Sequence, residues 1–164
     1  MEALIKKLHR EWDVGRRLSI EDYIKLVKDT YITLQEEAKA GKLIFYGKLE
    51  AFKILRYRSV RGRELPSLIG AIVGACSEYE AENGRPLISS IVISKIKGEP
   101  GLGFYYLSKV PPSLSKRNWE DKKIRPPEAV IRRREEFWLS EVQRVHDYWQ
   151  SKAGGENADS DDCR

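Results

Sequence analysis

GRPLISSIVISKIKGEPGLGFYYLSKV, residues 84–110, is the stretch whose reading decides the fold. β-Branched residues dominate LISSIVISK, Gly98, Pro100, Gly101 and Gly103 mark a turn, and FYYLSKV supplies an aromatic return strand. These features predict a β-hairpin with a glycine-rich tip. Outward from it, the chain predicts helices on both sides.

Residues 2–12 predict a short helix with Leu4, Ile5, Leu8 and Trp12 on one side. Ser19 is placed to cap a second helix, with Asp22 three positions on. Its stripe is Ile20, Ile24, Val27, Tyr31, Leu34 and Ala38, and Gly41 ends it. KLIF, residues 42–45, predicts a short strand, and YGKLEAFKIL, residues 46–55, a short helix with Leu49, Phe52 and Leu55 inward. A further helix begins near Leu65, tolerates Pro66 in its first turn and stops at Gly84. After the hairpin, residues 111–129 carry two Pro-Pro pairs and predict an extended surface connection. Val130 to Gln150 predicts a last helix with Trp138, Val142, Val145 and Trp149 on one side. The expected organisation is an N-terminal helix (1–18), a core (19–110), a connection with a C-terminal helix (111–150) and a disordered tail (151–164).

The order helix, short strand, helix, helix, strand, turn, strand over residues 19–110 resembles a winged helix-turn-helix. The expected fold class is therefore α+β, with three helices, a β-hairpin wing and an extra helix at each end. GRPLISSIVISK followed by PGLGFYYL also resembles an uncharacterised family of small prokaryotic proteins, a likeness that implies no activity. The winged-helix resemblance implies that the helix from Leu65 lies in a DNA major groove.

Charge points the same way. The chain carries 30 basic and 25 acidic residues, +5 overall. Residues 152–164 hold two basic and four acidic residues, so residues 1–151 carry 28 against 21, or +7. A basic body suits nucleic acid or another polyanion. No window approaches the ~18 consecutive apolar residues of a membrane helix, and the charged N-terminus is unlike a signal peptide, so a cytoplasmic location and no membrane partner are expected. Cys76 and Cys163 stand far apart without short-spaced ligand partners, which argues against a disulfide framework or a zinc site.

The strongest charge feature is KILRYRSVRGR, residues 53–63, with Lys53, Arg56, Arg58, Arg61 and Arg63 and no acid. Guanidinium forks beside a helix N-terminus suit phosphate, and Tyr57 can stack or hydrogen-bond beside them. Lys95 and Lys97 flank the predicted wing tip. These eight residues form the expected nucleic-acid interface, with duplex DNA the expected partner. A solvated basic loop has the same composition.

Three features temper that expectation. Residues 65–83 hold no lysine or arginine but carry Glu78, Glu80 and Glu82, which a phosphate backbone repels. Their small face, Gly70, Ala71, Gly74 and Ser77, offers a second expectation, a docking surface for a protein partner. A metal-dependent nuclease is the third, with Glu78 and Glu82 on one helical face and Lys95 beyond, but LISSIVISK lacks the carboxylate such a strand needs. His9 and His146 have no nucleophile or acid beside them in sequence. The sequence thus points to no catalytic residues, metal ligands or cofactor. Arg132-Arg133-Arg134 opens the last helix, and the flexible connection before it leaves room for a homodimer through that helix.

Overall fold

The computed structural model describes residues 1–60 and 62–158, with side chains through residue 155. Its elements are α1 (Glu2–Glu11), α2 (Ile20–Lys39), β1 (Ile44–Phe45), α3 (Glu50–Tyr57), α4 (Glu64–Glu82), β2 (Val92–Ile93) and α5 (Glu128–Ala158). Short 3-10 turns join them. Arg61 and residues 159–164, Cys163 among them, lie outside the described residues.

α2 forms where its signals place it. The Ser19 side chain accepts the Asp22 amide at 3.2 Å, and Glu21 and Asp22 stand in the positive first turn. Its buried stripe is Tyr23, Leu26, Val27, Thr30, Leu34 and Ala38. That is the predicted stripe rotated, because α2 packs against α1, α4 and α5 rather than against one neighbour. α2, α3 and α4 end alike. The residue after each C-cap is left-handed, with φ +67° at Gly41, +66° at Ser59 and +68° at Gly84. The next amide bonds back to a carbonyl five residues earlier: Lys42 to Glu37, Val60 to Leu55, Arg85 to Glu80.

α4 is the central helix. Eleven of its residues, from Leu65 to Ala81, are buried, and it packs against α1, α2 and α3. A helix apolar nearly all round belongs inside a protein, not in a groove of DNA.

The expected winged-helix fold is overturned, because the predicted hairpin is not there. Residues 88–91 form a 3-10 turn, and only Val92 and Ile93 are strand. They pair in parallel with β1, Ile44 opposite Val92 and Phe45 opposite Ile93. The predicted return strand is instead a 3-10 turn over Leu102–Tyr106. The fold is a helical assembly with a two-stranded parallel sheet.

The physical reason is where the backbone of residues 87–90 finds its partners. The Leu87 amide bonds to Glu141 Oε2 on α5 at 2.9 Å, and the Ser89 amide to Ser77 Oγ on α4 at 2.8 Å. Trp138 Nε1 of α5 donates to the Ser90 carbonyl at 2.8 Å. Side chains of two helices satisfy groups that a neighbouring strand would otherwise have to satisfy. The apolar residues of the segment face two ways. Ile88, Ile91 and Val92 join a core built mainly by α1–α4, whereas Leu87 and Ile93 join a second core with Phe104, Tyr105, Leu107, Leu114, Val130 and Trp138.

The 111–129 connection is more structured than the extended path expected. It makes two further 3-10 turns, Lys116–Asn118 and Glu120–Lys122. α5 begins at Glu128 and runs on through Ala158, into the segment where the sequence predicts a disordered tail. Among the described residues no helix is long and apolar enough to cross a membrane.

Candidate nucleic-acid interface

α3 is short, and its geometry sorts its side chains. Ala51 and Leu55 are buried, which turns Lys53, Arg56 and Tyr57 outward at i, i+3 and i+4 on one face. Tyr57 is 91% exposed. Beyond it the chain reverses through left-handed Ser59 and Gly62 and enters α4. Arg58 and Arg63 therefore border one connection, at the exit of α3 and the entrance of α4.

The cations there are not equivalent. Lys53 pairs with Glu50 at 3.5 Å, and Arg58 with Asp22 at 2.8 Å. The hydrogen bond from Arg58 holds the Asp22 carboxyl below the usual carboxylate range. Arg56 and Arg63 are exposed and form no ion pair among the described residues. Arg61 lies outside the described residues. One contributor escaped the sequence analysis: Arg17 Nη1 donates to Ser67 Oγ in the first turns of α4 at 3.0 Å, bringing a cation from the α1–α2 connection. No local pattern signals this contact, which spans fifty residues.

Lys95 and Lys97 lie on a different element. They sit on the exposed Ser94–Gly98 turn, closed by a 2.8 Å bond from the Gly98 amide to the Ser94 carbonyl. The chain just beyond this turn is anchored by the Gly101 amide on the Tyr46 hydroxyl at 3.1 Å, on the entrance side of α3. Arg56 and Arg58 stand at its exit.

The structure also places the residues of the other two expectations. Gly74 lies against Trp12 and Leu107, so close that an added Cβ would meet the Trp12 ring at 3.3 Å. Ser77 is buried, and the Ala71 carbonyl accepts the Tyr23 hydroxyl at 2.8 Å. Gly74 and Ser77 of the small face of α4 are thus covered by the chain itself, whereas Gly70 and Ala71 are half-buried and an added Cβ at Gly70 would meet nothing. Glu78 receives the Ser108 amide at 2.8 Å and its hydroxyl at 2.5 Å. Among the described residues no three His, Cys, Asp or Glu side chains stand together as for a metal ion. His9 Nε2 lies 2.8 Å from the Leu18 carbonyl, and His146 Nε2 3.0 Å from that of Lys42. Both fasten connections. Cys76 is fully buried, and burial pushes its thiol up.

The Arg132–Arg134 run divides in two. Because α5 starts at Glu128, the run lies past the first turn, where the helix dipole fades. Arg132 and Arg133 are exposed, while Arg134 is buried. Trp138, Val145 and Trp149 of α5 are buried within the chain's own cores. No family model matches the chain, no curated protein matches it, and no solved structure matches it.

Proposed function

We propose that the chain binds nucleic acid, duplex DNA in the first instance, through phosphate contacts at the α3 exit and α4 entrance. The observation that carries this is Tyr57. An aromatic ring 91% exposed on a basic helix end, between Arg56 and Arg58 and facing the same way as Lys53, is a stacking and hydrogen-bonding surface ringed by cations. Arg56, Arg58, Arg61 and Arg63 grip phosphates, and Arg17 supports them. Binding is largely independent of sequence, because the buried α4 offers no face for reading bases.

The test is fluorescence anisotropy of a labelled random duplex over a salt series. Wild type is compared with a variant carrying alanine at Arg56, Arg58, Arg61 and Arg63. Each lost phosphate contact lowers the slope of log affinity against log salt by about 0.9, so the loss of four contacts should lower the variant's slope by about 3.6. Wild-type binding that is absent at low salt, or a variant slope equal to wild type, would overturn the proposal.

A further inference from the structure

We infer that the connection before α5, with the first turns of that helix, forms a second phosphate-binding face, separate from the α3–α4 connection. It shares the nucleic-acid reading proposed above but none of its residues. Residues 116–134 hold eight basic and three acidic side chains, a balance of +5, as large as the whole chain's. The structure then decides which of these charges are available. Arg134 takes Glu120 with both terminal guanidinium nitrogens, at 2.5 and 2.9 Å, and Lys116 takes Asp121 at 2.8 Å. The acids are thereby occupied from within. Arg117, Lys122, Lys123, Arg125, Arg132 and Arg133 remain exposed, none in an ion pair among the described residues, and the other exposed acids near them are Glu128 and, just past the run, Glu135 and Glu136, which leaves a positive excess of three.

The same bonds fix the scaffold that carries them. Arg134 Nε also donates to the Leu114 carbonyl at 2.8 Å, and its guanidinium lies over the Tyr105 ring, 4.9 Å from the centroid. Arg117 covers the Tyr106 ring at 4.1 Å. Trp119 Nε1 donates to the Ser113 carbonyl at 2.8 Å. Lys122 and Lys123 are therefore held two and three residues from Glu120 in the clasp, and Arg132 and Arg133 two and one residues from its other half, Arg134.

Many cations held apart on a fixed surface suit a polymer with evenly spaced charges. A compact anion needs convergent donors in a pocket, whereas these six side chains are exposed. A bilayer needs an apolar element reaching past the cations; Ile124 and Ile131 are two isolated exposed side chains beside them, at 49% and 47%, and vesicle binding is therefore an outcome the test separates. The two basic faces also belong to different cores. Leu55 of α3 packs in the first and Leu114 of the connection in the second. If both faces bind independently, one molecule bridges two duplex segments.

The test uses the full chain with Lys122, Lys123, Arg132 and Arg133 changed to alanine, all exposed positions that leave the Arg134 clasp intact. In the salt series its slope should fall by about 3.6, independently of the α3–α4 variant. Beads carrying one duplex, loaded with wild-type protein, should capture a second, dye-labelled duplex, and the variant's capture should fall at least about tenfold at 0.1 M salt. A wild-type slope and wild-type capture by this variant would overturn the inference. Loss in this variant, with none in the α3–α4 variant, would uphold the second face and sink the first. Vesicles of phosphatidylcholine with phosphatidylserine complete the design. If the variant loses vesicle binding and keeps duplex binding, the face belongs to a lipid surface and the inference falls.

Discussion

Residues 84–91 and residues 111–127 both lack long helix or strand, and an arginine–glutamate pair ties each to a helix. In the first, Arg85 grips Glu80 through Nε and Nη2 at 3.0 and 2.9 Å, and the Tyr31 hydroxyl donates to the same carboxylate at 2.5 Å. Glu80 is wholly buried, and Arg85 is capped by the Tyr79 ring at 5.3 Å. In the second, Arg134 is the buried partner and Glu120 keeps 22% of its side chain in solvent. The inversion matters. Where the carboxylate is interior, the segment becomes part of the core and its surroundings are apolar. Where the arginine is interior, the carboxylate is drawn down beneath the surface charges, and the remaining cations face out.

The sharpest way to break this comparison is to remove the arginine from each pair. Arg85→Ala leaves the Glu80 carboxylate buried, with Tyr31 as its one remaining side-chain partner among the described residues. That should lower unfolding free energy by about 3–5 kcal/mol, read from urea midpoints. Replacing both partners, Glu80→Leu with Arg85→Met, should recover most of the loss, because no buried charge is then stranded. A single variant within about 1 kcal/mol of wild type would show that Glu80 has another route to solvent. Arg134→Ala should cost less, about 2 kcal/mol, since Glu120 can turn outward into water. Its effect should be local. Amide exchange should quicken over residues 114–124, while the Leu87 and Ser89 amides stay protected. A uniform change across both segments would mean that they open as one unit.

How much of this was legible follows the same division. α2 was readable because its cap, stripe and terminal glycine are local signals, and the limits of α4 were readable for the same reason. The outward face of α3 follows from the spacing of Lys53, Arg56 and Tyr57. The hairpin was misread because a fully buried run of β-branched residues has one signature whether strands or helices cover it. Its partners, Ser77 and Glu141, lie 12 and 54 residues away in sequence. The adjacent Ser89 and Ser90, which interrupt the apolar run, were the local hint that the backbone there bonds to side chains. Arg132-Arg133-Arg134 looked like one surface feature. Only its helical phase against the second core separates the interior arginine from the exterior two, and that phase depends on packing partners the sequence does not order.

The smallest expected effect sharpens the comparison most, because it titrates one clasp. The hydrogen bond from Arg134 holds the Glu120 carboxyl below the ordinary glutamate range. A carboxyl with a depressed folded pKa adds stability above its unfolded pKa, near 4.3, and that stability is lost as pH falls through the folded value. The clasp should therefore be complete at pH 6 and loosen below about pH 4. Glu120→Gln keeps neutral hydrogen bonds to Arg134 and should cost about 1 kcal/mol at pH 6. The gap between wild type and this variant should close as the solution is acidified. Amide exchange at Trp119 and Lys123, followed from pH 6 to pH 3 after correction for intrinsic rates, reads the clasp directly. A gap that stays constant with pH would show that shape and hydrogen bonding, not ionisation, hold the connection against α5. The exposed cations would then keep their positions in acid as well.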